Sequence, residues 1–206
     1  MISEIATKLT QSLLMSVQFA DKVAGLVVPM RRMVNKIEKV FPVAYNTPSD
    51  CDSSVYADLV PDSSKTSIIY CEKIGDVVME QALRNVWITT ATLRLVCWYN
   101  LDRINEGQSV DEGNVANNVL SQLPKRLPDA WFLYVRSVIL NPVRVIFGAD
   151  IFSKYTYDEV RTQFLTLPYG AFAIDIEVQY IMNKCAITLG HDLNCNQPEY
   201  VKPEEV

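Results

Sequence analysis

The sequence predicts an α+β fold, a mostly antiparallel sheet with helices packed on one face. Three observations predict it. Residues 86–101 and 171–183 are long runs with apolar or β-branched side chains at every second position, the period of a strand. Residues 2–20 and 109–124 place apolar side chains at spacings of three and four, the period of a helix. The elements follow in the order helix, strands, helix, strand, helix, strand, without the regular alternation of a doubly wound fold. With 206 residues and 49% apolar content the chain can fill one sizeable core. No composition shift divides it. The expected organisation is one domain over 1–190, with an extended loop at about 46–66, and a C-terminal tail over 191–206.

The first helix presents Ile2, Ile5, Leu9, Leu13, Val17 and Ala20 on one face. Gly25 and Pro29 then punctuate a basic stretch, 22–39, in which Lys22, Arg31, Arg32, Lys36 and Lys39 face a single acid, Glu38. A weakly alternating strand is expected at 37–45. Residues 46–66 carry Pro48, Pro61 and many Ser and Asp residues, which break any period. Their charges are almost all acidic: Asp50, Asp52, Asp58 and Asp62. A loop of that length inside a compact domain is unusual, and a partner that orders it is the favoured explanation.

A short strand is expected at 67–74, then a brief helix or a hairpin arm at 76–84. The strand 86–101 follows, with Trp87, Thr89, Ala91, Leu93, Leu95 and Cys97 on one face and Val86, Ile88, Val96 and Trp98 on the other. Apolar character on both faces means a central strand covered on both sides, or one whose second face meets another subunit. Ser109 and Glu112 form a capping box for the next helix, which Pro124 stops. The type of 130–140 is open. A strand is expected at 143–152, and a second capping box, Thr156 and Glu159, starts a short helix. In 171–183, Phe172, Ile174, Ile176, Val178, Tyr180 and Met182 share one face, while Asp175, Glu177 and Gln179 share a wet or inter-subunit face.

Composition excludes several functions. The formal charge is −5 and the pI about 5.0, against the cationic footprint of a broad nucleic-acid groove. His191 is the one histidine, so no site that needs two can form. No glycine-rich phosphate loop and no nucleophile elbow occurs among the seven glycines. Cys51, Cys71, Cys97, Cys185 and Cys195 are odd in number and include no C-x-x-C pair, so reduced thiols are expected. Cys185, His191 and Cys195 fit no zinc spacing. No secretory signal and no membrane-spanning run is expected. Catalytic residues, metal and cofactor are all expected to be none.

The remaining signals point to surfaces. Arg31, Arg32 and Lys36 suit a solvated face, a docking surface for an acidic neighbour, or contact with nucleic acid. In a head-to-tail ring the basic 22–39 stretch of one copy could face the acidic 50–62 stretch of the next. Trp87 and Trp98 suit core or interface packing better than base stacking. Asp175 and Glu177, two apart on one strand, suit a solvated or interface face better than acid–base catalysis. The candidate interface is therefore Arg31, Arg32, Lys36, Asp50, Asp52, Asp58, Trp87, Trp98, Asp175 and Glu177.

The order of elements resembles a known family. An N-terminal helix at 2–20, a weak strand and loop, the aromatic-rich strand NVWITTATLRLVCWYNL at 85–101, the capped helix SVDEGNVANNVLSQLP at 109–124 and the closing strand AFAIDIEVQYIMN at 171–183 are similar to the tail-completion or tail-terminator class of head–tail connector proteins of tailed bacteriophages. Their texture also resembles the neck ring proteins of crAss-like phages. The resemblance covers roughly 1–185 and rests on element order, with no short diagnostic motif. It implies a tail-terminator-like fold and a structural virion protein, made in the bacterial host cytoplasm and assembled in the neck. Such a protein would form a ring of twelve or six copies, contact portal, neck or tail proteins, and let DNA pass through its channel without specific binding. It implies no membrane and no enzymatic activity. Two other classes stay open on the residues alone: a monomeric soluble binding module, and a small enzyme of unrecognised type.

Overall fold

In a computed structural model, the structure describes residues 1–46, 55–83, 86–105, 111–157 and 165–183. Helix α1, Ile2–Ser16, buries Ile5, Leu9 and Leu13 completely. Thr10 is buried beside them, its hydroxyl satisfied by donating to the Ala6 carbonyl at 3.1 Å. After α1 come β1 (Lys22–Val34), β2 (Ile37–Asn46), β3 (Val55–Asp58), β4 (Ser67–Leu83) and β5 (Val86–Asn100). Helices α2 (Leu101–Asn105) and α3 (Glu112–Gln122) follow, then β6 (Arg126–Leu127), β7 (Val135–Phe147) and β8 (Tyr169–Asn183).

The strands form one mixed sheet in the order β3-β2-β1-β4-β5-β8-β7-β6. β1 and β4 run parallel; every other neighbouring pair is antiparallel. The fold is thus α+β, and its sheet is mixed.

One face of the sheet carries α1 and α3. Leu93, Leu95 and Cys97 of β5 and Ile174, Ile176 and Val178 of β8 meet Leu9, Leu13, Val115 and Val119 there. α1 comes so close to β1 that a Cβ on Gly25 would lie 2.3 Å from the Thr7 hydroxyl. The other face is covered by residues 149–157, which begin as a 3-10 turn, Ala149–Phe152. Phe152, Tyr155 and Tyr157 pack there on Tyr70, Val96 and Trp98. Ala171 and Ala173 of β8 supply the small side chains that leave room for these rings. β5 is therefore a central strand covered on both sides from Leu93 to Tyr99, one of the two explanations its pattern allowed.

Several elements differ from the expectation. The basic stretch is largely a strand, β1, that turns at Asn35 and Lys36, both with positive φ, into β2. Its one proline does not break it: Pro29 lies directly opposite Pro42 of β2 in the β1–β2 pair. Of the two alternatives for the stretch from 76, the hairpin arm is the one observed: β4 runs on from Ile74 to Leu83, with a register shift between Ile74 and Val78 at Gly75, φ 64°. Within the expected loop 46–66, Val55–Asp58 pairs with β2 as an edge strand.

The strand expected at 143–152 instead spans Val135–Phe147, and Gly148 at φ 102° ends it. The cap of α3 is Asp111, whose carboxylate accepts from the Asn114 N–H at 2.7 Å. Glu112 accepts the Tyr99 hydroxyl at 2.8 Å. Ser109, the helix expected after Thr156, and the tail from 191 lie outside the described residues.

Candidate subunit interface

The geometry of the surface begins with a row of charges across the sheet, buried at Glu72 and Asp175 and exposed at Arg144. Register places Glu72 of β4 opposite Arg94 of β5, Arg94 opposite Asp175 of β8, and Asp175 opposite Arg144 of β7. Asp175 is the centre. Arg94 donates to both its oxygens, at 2.7 and 3.1 Å, and Arg144 donates at 2.6 Å. Burial alone would raise the Asp175 carboxyl; the two guanidinium groups outweigh it and hold the pKa below its ordinary value. The hydrogen bond to Asp175 likewise raises Arg94. Glu72, almost fully buried, accepts from Lys154 Nζ and from the Tyr155 hydroxyl, each at 2.5 Å. Those two contacts fasten residues 149–157 to the sheet.

Beyond this row the second face is open. Glu177 and Gln179 of β8 are exposed, as are Val78 of β4 and Ile139 of β7. The opposite face stays buried to Tyr180 and Met182. At this end the sheet also divides. β1 pairs with β4 only from Lys22 to Val27 and from Ile68 to Glu72. Past those points the β1–β2 hairpin and the β4–β5 hairpin continue as two arms at the same end of the sheet, because β1 and β4 run parallel. Among the described residues, 28–34 of β1 and 73–83 of β4 then pair on one side only.

The arms expose apolar side chains. Met33 and Ile37 at the tip of the first are 67% and 62% exposed, and Val78 and Leu83 on the second are 54% and 69%. Isolated exposed apolar residues are ordinary; here two sets of them stand at one end of the sheet.

The structure brings together only part of the candidate interface. Arg31, Arg32 and Lys36 sit on the first arm, where Arg31 pairs with Glu38 at 3.4 Å and Arg32 lies over the Phe41 ring. Trp87 lies on the second arm, opposite Gln81 and Met182. Glu177 lies on the open face, opposite Thr92.

Two of the candidates do not belong to a surface. Trp98 is 1% exposed and stacks on Tyr169 at 5.6 Å, so it packs the core. Asp175 is 5% exposed and fully engaged by Arg94 and Arg144. Its companion Glu177, one row further out, has passed the covering segment; that difference cannot be seen in a two-residue spacing. Asp58 closes β3 opposite Val43. Asp50 and Asp52, two of the four acids of the expected charge pairing, lie outside the described residues, as do Cys51, Cys185, His191 and Cys195.

What sequence reasoning missed is the β4 half of the second arm as a surface, Trp87 on β5 being the one candidate on that arm. Gly75 between the apolar runs was its available signal. Among the described residues no cluster of three or more His, Cys, Asp or Glu side chains could hold a metal, and no helix is long and apolar enough to cross a membrane. Compared with known proteins, the chain matches no family model, no curated protein and no solved structure.

Proposed function

We propose that this chain is a structural subunit of a ring in the neck of a tailed bacteriophage. The ring would join the portal and head to the tail around the DNA channel, in the manner of tail-completion or tail-terminator proteins. The observation that carries this reading is the pair of hairpin arms. Both leave the core at one end of the sheet, and both hold out apolar side chains that stay more than half exposed. Arms of that kind gain stability only by burial against neighbours, and a structural adaptor supplies neighbours on every side. The resemblance in element order supplies the phage context.

In this role the subunit performs no reaction, and its overall negative charge suits a channel through which DNA must slide without being gripped. Electron microscopy of the purified protein, and of phage particles containing it labelled by a specific antibody, tests the reading. Rings, and label at the head–tail junction, are expected. Label elsewhere on the particle, or on none, would remove the assignment.

A further inference from the structure

We infer that the β1–β2 arm of one copy docks along the open edge of β4 in the next. This rests on the ring reading and names its contact. Among the described residues, each element has a stretch of similar length that pairs with a neighbouring strand on one side only. On β4 the bulge at Gly75 ends near Val78 and a second register shift follows Gln81, so Val78 to Gln81 is the regular part of that edge. On β1 the edge resumes after Pro29, which has no N–H to offer, leaving Met30 to Val34. Unpaired backbone edges of this kind are the usual sites of strand pairing between chains, and a protein that leaves two of them uncovered must cover or guard them.

The charges select the partner. The first arm carries four bases, Arg31, Arg32, Lys36 and Lys39, against Glu38, a net +3. The β4 edge from 74 to 83 carries Asp76 and Glu80 and no base, with Lys73 at its root and Arg84 just past it. Two basic arms repel one another, so a symmetric pairing of like edges is disfavoured, while basic arm on acidic edge is favoured. That contact joins two different surfaces. It is head-to-tail, and it closes into a ring when the rotation between copies permits. The apolar tips, Met33 and Ile37 on one side and Val78 and Leu83 on the other, are then buried by the same contact. In this contact the acidic partner of the basic stretch is the β4–β5 arm.

Sedimentation velocity on the full chain tests this with four proteins: the native chain, R31E/K36E, D76K/E80K and the variant carrying all four changes. Every altered side chain is exposed, so circular dichroism and the melting temperature should stay unchanged. The native chain is expected as a ring. Each pair of reversals should weaken assembly by roughly tenfold or more in dissociation constant, and the fourfold variant should restore it. High salt should weaken the native ring.

Rings that persist in both reversed pairs, or a fourfold variant that stays dissociated, overturn this contact and leave the ring reading standing. A native chain that remains at its 23.3 kDa monomer mass at all concentrations overturns both. Assembly that appears only on adding DNA assigns the basic arm to nucleic acid and overturns the contact.

Discussion

Asp175 shows how a single residue can be misplaced by pattern alone. On a strand diagram it shares a face with Glu177 and Gln179, yet its carboxylate is buried and is the hub of an ion-pair network that reaches the surface at Arg144. Removing one member of a buried pair leaves the others uncompensated. Asp175→Asn should therefore cost about 2–4 kcal/mol in chemical denaturation. The sign with pH follows from the depressed carboxyl. Its contribution is fully present above the ordinary aspartate value and is lost as pH falls through the lower folded value, so acid should destabilise the native chain below about pH 4. The Asn variant should lose less over the same range. Equal acid sensitivity in both would contradict the assigned role.

Tyr155 is the second such residue. Tyr155→Phe removes one of two donors to buried Glu72 and should cost about 1–3 kcal/mol. Cys71 and Cys97 lie wholly inside, and burial pushes both thiols well up. Both should stay unmodified by iodoacetamide in the folded chain and react once it is unfolded, as read by peptide mass spectrometry.

At the scale of the element, α1 and β5 were legible because their periods are long and uninterrupted. Leu9→Ala should cost about 2–5 kcal/mol, since Leu9 has no exposed surface and its loss leaves a cavity in the core. Gly25→Ala should also destabilise, because Thr7 on α1 occupies the space a Cβ needs; thermal melts of both variants check this.

The elements that were not legible have identifiable physical reasons. β1 contains a glycine and a proline, and its apolar residues fall on both faces, so neither period nor propensity marks it. The second half of β4 is exposed on both faces, so no alternation is imposed on it. β7 carries Pro142 and a register shift around Ser137, φ 54°, which divide its pattern into pieces that look unrelated. The parallel β1–β4 pair could not be inferred at all, because register between distant strands leaves no local trace. Of the candidate surface, the basic arm was visible as a charge run. Its counterpart on β4 was hidden by having too few charges to stand out.

For the molecule as a whole, the parallel β1–β4 pair determines the shape. It sends two hairpins out at the same end, and the pairing ends at Val27 and Glu72, so they continue as separate arms. Below that point both faces of the sheet are covered, by helices on one side and by residues 149–157 on the other. Above it, among the described residues, one face is exposed and two strand edges pair on one side only. The chain thus separates a covered body from a projecting, exposed region, and that separation supports the proposed ring reading.

The most direct measurement is a set of electron cryomicroscopy averages of the purified protein, at a resolution that traces strands. The account predicts a closed ring in which the β1–β2 arm of each copy lies against β4 of the next. Isolated particles, or a ring whose arms point into solvent away from their neighbours, would contradict it.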